Sequence, residues 1–194
     1  MKLSKKGEYA LRALIELGIA AQVGRTLVQV SELAENERLP VKFLEQIMQL
    51  LKDAGFVESA RGKFGGYRLA QPAGKIAIGQ VVRLIDGPLA PIGCVSQTAY
   101  QKCSCPDETH CGLRMLMLDV RNAIASILDR YSIADVVEVT LRKMRRDGVP
   151  LPYAMPLRPV RGLRGRPTTG RTSWPGRLQP VEGLINNLLG DYAI

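Results

Sequence analysis

The sequence predicts a mainly α-helical fold with one small β-hairpin. Three observations carry this reading. Apolar residues recur at helical spacing through most of residues 3–146. The pattern breaks once, into two short strand-like runs around a glycine-rich turn at residues 61–66. A long heptad pattern then follows a cluster of cysteines. With 194 residues and 46% hydrophobic content the chain can bury a core, and with only 5% aromatics that core must be aliphatic.

The elements follow in order. Leu3, Ala10, Leu14, Leu17 and Ala21 form a helical stripe, with Ser4 as its cap and Gly24 as its end. Ser31 reads as the cap of a short second helix that stops at Leu39-Pro40. Pro40 suits the start of a third helix, Val41 to Ala54, whose buried face is Phe43, Leu44, Ile47, Leu50 and Leu51. Gly55 closes it as a C′ residue. Phe56 to Ala60 and Tyr67 to Leu69 read as strands flanking Arg61-Gly62-Lys63-Phe64-Gly65-Gly66. A fourth helix runs from Ile78 to Ile85. A long helix from residue 113 to about Tyr131 carries Leu113, Met117, Val120, Ile124, Ile127 and Tyr131, spaced 4, 3, 4, 3, 4, as two helices packed lengthwise require. Ser132 caps a last helix, Ile133 to Arg146.

Three helices followed by a hairpin make a winged helix-turn-helix, in which the third helix enters the major groove of double-stranded DNA. Lys42, Glu45, Gln46 and Gln49 lie on its outer side, and Gln and Lys suit adenine and guanine edges. Arg61, Lys63 and Arg68 surround the flexible hairpin tip, a shape that suits the negative potential of a minor groove. The charge agrees: 27 Lys and Arg against 18 Asp and Glu give a net +9, which favours a polyanionic partner. Nothing in the sequence suggests an enzyme. Serine-hydrolase, phosphate-loop and zinc-protease motifs are absent, and His110 is the one histidine. No apolar run approaches the roughly 18–20 residues that span a bilayer. The first seven residues lack the apolar core of a secretory signal, so the expectation is a cytoplasmic protein without a membrane partner.

All four cysteines, Cys94, Cys103, Cys105 and Cys111, fall within 18 residues. In a reducing compartment such crowding points to metal or redox chemistry. Thiolates bind both iron and zinc, so the residues alone leave an iron–sulfur cluster, a zinc ion and a metal-free thiol switch open. The spacing lacks the paired short knuckles that structural zinc favours. Cys103-Ser104-Cys105 suits a switch in which neighbouring thiols resolve a sulfenic acid.

Leu3-Ser4-Lys5-Lys6-Gly7-Glu8-Tyr9-Ala10, Phe43-Leu44-Glu45-Gln46 and Arg61-Gly62-Lys63-Phe64-Gly65-Gly66-Tyr67 resemble the Rrf-two family of bacterial winged-helix regulators, the IscR and NsrR type, over about residues 1–146. The resemblance implies a homodimer joined through the 113–131 helix, a palindromic operator and an iron–sulfur cluster of two or four irons in the cysteine loop. Cys94, Cys105 and Cys111 fit the family's three sensing cysteines, and Cys103 is extra. Arg114 stands where IscR has a histidine ligand. Cys103, His110 and Glu8 of a partner subunit are the candidates for a fourth ligand. The residue matching Glu45 tunes operator choice in IscR.

The domain reading is therefore a DNA-binding domain at 1–87, a cysteine-rich sensor loop at 88–112, and the dimerisation and C-terminal helices at 113–146. Residues 147–194, with 7 of the 12 prolines and 7 of the 19 glycines, read as a disordered tail. Within it Arg164-Gly165-Arg166-Pro167 matches the core of an AT-hook, and Leu184, Ile185, Leu188 and Leu189 suit a terminal helical turn.

Overall fold

A computed structural model describes residues 2–62 and 64–153. Lys63, the AT-hook-like stretch and the terminal leucines lie outside the described residues. The helices are α1 (Lys5–Gln22), α2 (Val30–Asn36), α3 (Val41–Asp53), α4 (Ile78–Asp86), α5 (Gly112–Arg130) and α6 (Ile133–Arg146). Strands β1 (Val57–Ala60) and β2 (Gly66–Leu69) pair antiparallel, with Glu58 opposite Arg68. Short 3₁₀ turns occupy Ala73–Lys75 and Gly93–Val95. The result is a mainly α winged helix-turn-helix. Among the described residues no helix is long and apolar enough to cross a membrane.

Helix α1 is the axis of the core. Ala10, Ala13, Leu14, Leu17, Ile19 and Ala20 are all buried. Its small residues let neighbours approach closely. A Cβ on Gly18 would lie 2.7 Å from Val137 Cγ2 on α6, and one on Gly7 would lie 2.7 Å from Asp86 Oδ2 at the end of α4. Ser4 caps α1 by accepting from the Gly7 N–H at 3.0 Å, and its own N–H donates to Asp86 at 2.9 Å. One side chain thus starts α1 and ties it to α4.

The helix-turn-helix is braced from α1. Tyr9 meets Phe43 edge-to-face, with ring centroids 5.8 Å apart. Arg12 pairs with the Glu37 carboxylate and donates to its carbonyl at 2.7 Å, which clasps the turn between α2 and α3. Arg38 in that turn has φ 52°, a left-handed conformation that the clasp helps to hold.

Several details refine the sequence reading. Helix α2 begins one residue before Ser31, with Gln29 at the N-cap and no side-chain cap bond. On α3 the fourth buried side chain is Met48, while Leu50 faces outward, because the axis of burial runs through Leu44, Ile47, Met48 and Leu51. The wing gains a third backbone partner. Val28, in the connection after α1, exchanges hydrogen bonds with Tyr67 at 2.8 and 3.0 Å. Gly66 permits this approach, since a Cβ there would sit 2.6 Å from the Val28 carbonyl oxygen. Helix α6, expected as a C-terminal helix following the long one, buries Ile133, Val137 and Leu141 and packs on α1. Finally, residues 147–153, assigned by sequence to the tail, stay on the core as far as Tyr153, which is buried beside Glu16. Apolar anchors at Leu151 and Tyr153 outweigh the Pro and Gly content there.

Residues 76–78 and 131–133 form a further clamp. Ile78 donates to the Tyr131 carbonyl and Ile133 donates to the Ile76 carbonyl, both at 2.9 Å. The capping box of Ser132 and Asp135 starts α6 at this point.

Burial holds the Glu16 carboxyl above the ordinary carboxylate range, because desolvation disfavours its charge. The folded state therefore favours the protonated acid, and that contribution is lost as pH rises through the folded value. Glu16→Gln is expected to raise the thermal unfolding midpoint at pH 8 and to give a smaller gain at pH 4. Equal midpoints for the two proteins at pH 8 would contradict this account of Glu16.

Candidate nucleic-acid interface and cysteine site

The outer face of α3 is open. Lys42, Glu45, Gln46 and Gln49 are all exposed, held there by the buried row on the opposite side. Gln49 donates to Asp53 one turn later at 2.7 Å, so its amide is partly engaged. Pro40 at the N-cap leaves the first turn of α3 without a side-chain cap, and its carbonyl accepts from the Phe43 and Leu44 N–H groups at 3.1 and 3.0 Å. On the wing, Arg61 is exposed at the start of the tip. The sequence placed Arg68 at the tip as well. It lies on β2, in the strand expected over Tyr67 to Leu69, and is bonded to Glu58 directly across the hairpin at 2.6 Å. Phe64 crowns the tip with 83% of its surface exposed.

The cysteine loop makes the second site. Cys94, on the 3₁₀ turn, is buried, and Cys103, Cys105 and Cys111 are half-buried. All four line one cavity of about 260 Å³, together with Ile92, Gln101, Leu113 and Arg114. Cys105 and Cys111 bring their sulfurs to 4.0 Å. The loop is ordered by its own polar contacts. Gln101 donates its backbone N–H to the Gly93 carbonyl at 3.1 Å, and its side chain packs where Gly93 has no Cβ. Tyr100 donates to Glu108, and Glu108 also pairs with Arg114 at 3.1 Å.

The remaining candidate donors are turned elsewhere. His110 gives its Nδ1 to Asp107 at 2.6 Å, and its side chain is 81% exposed. Glu8 pairs with Lys5 at 2.8 Å and with Arg12 at 3.6 Å on its own helix. Neither lines the cavity. Among the described residues no three His, Cys, Asp or Glu donors converge closely enough to share one ion. A tetrahedral zinc with bonds of about 2.3 Å would draw all its sulfurs together. Four thiols spread around a cavity fit a larger, multi-atom group such as an iron–sulfur cluster, whose ligands are thiolates.

The cavity opens directly onto α5. Cys111 is the N-cap residue of that helix, and Leu113 and Arg114 of its first turn line the wall. The heptad seam divides in two. Met117, Ile124 and Tyr131 are half-buried, whereas Leu113, Val120 and Ile127 are exposed, with Leu116 beside them. Arg121 is the buried residue of α5. At its far end α5 is fixed to α4 by a two-pronged ion pair, Arg83 to Asp129 at 2.6 and 2.7 Å.

Comparison with known proteins assigns this architecture. The Rrf2 family model, described as an iron-dependent transcriptional regulator, matches residues 3–139. The chain belongs to the Rrf2 family. An rrf2-like HTH-type transcriptional regulator of Rhodobacter capsulatus is 36% identical over 137 residues, covering 70% of this chain and 91% of that protein. The HTH-type transcriptional regulator IscR of Aliivibrio salmonicida is 33% identical over 137 residues, covering 71% of this chain and 77% of its own. Among solved structures, CymR, the global cysteine regulator of B. subtilis, superposes with a TM-score of 0.60 at 28% identity, over 71% of this chain and 97% of that one. This Rrf2 member is accordingly a helix-turn-helix transcriptional regulator and not an enzyme.

Three of the thiols depart from the ordinary cysteine value. The Cys105 thiol is pushed up to about 12 by hydrogen bonds with Cys103 and Cys111. The Cys103 thiol is held below its ordinary value by hydrogen bonding from Cys105. Burial pushes Cys94 up. Thiolate is the nucleophile, so iodoacetamide at pH 7.5 is expected to modify Cys103 first in reduced, chelator-treated protein, with Cys94 and Cys105 last. Peptide mass spectrometry over a time course reads the order, and Cys105 reacting ahead of Cys103 would contradict it.

Proposed function

We propose that this chain is a homodimeric, cytoplasmic DNA-binding regulator of palindromic operators that senses through an iron–sulfur cluster in its cysteine loop. One observation carries the reading: the thiol-lined cavity abuts the first turn of α5, the helix whose apolar face stands open. Leu113, Leu116, Val120 and Ile127 offer that face to the same helix of a second subunit, and burying such a row is favourable by roughly 25 cal/mol per Å². Two reading heads then meet two half-sites. On each, Lys42, Glu45, Gln46 and Gln49 face the major groove, while Arg61, Lys63 and Arg68 serve the wing. Glu45 repels phosphate and narrows the choice of operator.

The cluster, when bound, supplies sensitivity to oxidants, nitric oxide or iron supply. Cys94, Cys105 and Cys111 would hold it. The chain supplies the route to DNA. Arg114 couples the loop to α5 through Glu108, Arg83 couples α5 to α4, Ser4 couples α4 to α1, and Arg12 couples α1 to the turn before α3. A change at the loop shifts the DNA-bound population only through a difference in DNA affinity between the two states.

A second reading has its own observation. The 4.0 Å separation of Cys105 and Cys111 suits a disulfide formed with loss of two protons and two electrons to a peroxide-class oxidant. Metal-free protein whose operator affinity changes on oxidation, with Cys105 linked to Cys111 by mass spectrometry, would favour it.

Two measurements test the main reading. Protein purified without oxygen is expected to carry iron and acid-labile sulfide and to lose both in Cys105→Ala, with a change in operator affinity. Colourless, iron-free protein whose operator binding is unchanged by that substitution would overturn it. Arg61→Ala is expected to weaken specific operator binding by about 1–3 kcal/mol in a fluorescence-anisotropy titration. Unaltered affinity would remove the wing from the interface.

A further inference from the structure

The donor set of the cavity can be completed from within one chain. Four thiols line it, and each of the other candidate ligands is committed elsewhere: His110 to Asp107 on the exposed surface, Glu8 to Lys5 and Arg12 on α1, and Arg114 to Glu108 as a cation with no lone pair to give. Cys103 is placed between the other sulfurs. It interacts with Cys94 on one side and with Cys105 on the other, and Cys105 in turn lies 4.0 Å from Cys111. The four therefore form a continuous series of neighbouring thiols around the cavity, Cys94 to Cys103 to Cys105 to Cys111. Cys103 and Cys105, two residues apart across a bend at Ser104, both contribute thiols to it.

Resting on the iron–sulfur reading above, we propose that Cys103 is the fourth ligand, so that the cluster is held by four thiolates of a single subunit. The proposal has three consequences. Each subunit of a dimer is complete by itself. The partner's α1 is free of ligation. The iron sites have a sulfur-only environment, and four anionic thiolates favour the more oxidised cluster relative to a set with one neutral or carboxylate ligand. Chain geometry agrees: all four cysteines lie between the 3₁₀ turn at Gly93–Val95 and the N-cap of α5, so together they would tie the loop to the first turn of α5.

The test uses full-length protein reconstituted without oxygen from ferrous iron, sulfide and dithiothreitol. Iron X-ray absorption on the wild type is expected to show a first shell of sulfur only, and a resolved oxygen or nitrogen scatterer would overturn the proposal without any variant. Cys103→Ser and Cys103→Ala are expected to lose at least half of the bound iron and sulfide, or to retain a cluster with shifted iron–sulfur stretching bands in resonance Raman spectra. Glu8→Gln and His110→Ala are expected to match the wild type in both readouts. Circular dichroism melts of the metal-free variants separate ligand loss from misfolding. Cys103 variants with wild-type content and bands, beside a Cys105→Ala protein that is empty, would overturn Cys103 as a ligand and leave the cluster reading standing. A wild type that takes up neither iron nor sulfide would overturn the cluster reading itself.

Discussion

The structure depends on how tightly helix α1 is enclosed. Helices α3, α4 and α6 and the strand β2 all pack on it, and this is possible only because Gly7, Ala10, Ala13, Gly18 and Ala20 keep its girth small. A helix enclosed on so many sides cannot rotate under one neighbour without disturbing the rest. The helix-turn-helix on one side and the α4–α5 connection on the other therefore share a single rigid reference. The polar ties reinforce this. Ser4 bonds to Asp86 and Arg12 to Glu37, while the Tyr9 ring packs edge-to-face on Phe43, so the register of α1 relative to α3 and α4 is fixed by direction as well as by packing.

Helix α5 is built on the opposite principle. Over its 19 residues it buries only Arg121, and it touches the core mainly through Ile124, Ala125, Leu128 and Tyr131 near its C-terminal end. Its N-terminal half is framed by the cysteine loop and by little else. The stable anchor and the responsive end are thus at opposite ends of one rod. Opening costs are lowest where buried apolar contacts are fewest, and here that place coincides with the thiols.

Local chemistry made much of this legible in the sequence. Gly55, with φ +76°, and the glycines of the wing are demanded by backbone geometry, and such signals survive any tertiary context. The boundaries of α3 and α6 were readable for the same reason, through Pro40 and Ser132. What escaped the sequence was non-local. Val28 sits in a connection too short to read as a strand by itself, and it pairs with Tyr67 because the wing folds back onto it. Leu50 and Met48 exchange places because the buried face follows the neighbours of α3 and not an average stripe. Tyr153 sits among proline and glycine, which conceals an aromatic anchor. At the cysteine site the crowding was visible as a count, but Arg114 shows the limit of position alone. It fills the place of an expected ligand, while its role is set by Glu108, a residue no spacing rule singles out.

The clamp between residues 76–78 and 131–133 bears on how such a protein diversifies. The span from α4 through the cysteine loop to the end of α5 has its two ends joined by one seam of backbone hydrogen bonds, while α4 itself packs on α1. The intervening span is topologically a cassette with both ends stitched to the same spot. Its loop can lengthen, gain a thiol or exchange a histidine for an arginine without rethreading the core. Extra length in the loop is tolerated on those terms, since growth of an already closed loop costs only a fraction of a kcal/mol per doubling in length, about 0.6. Graft boundaries for transplanting one sensor onto another reading head follow from the same seam.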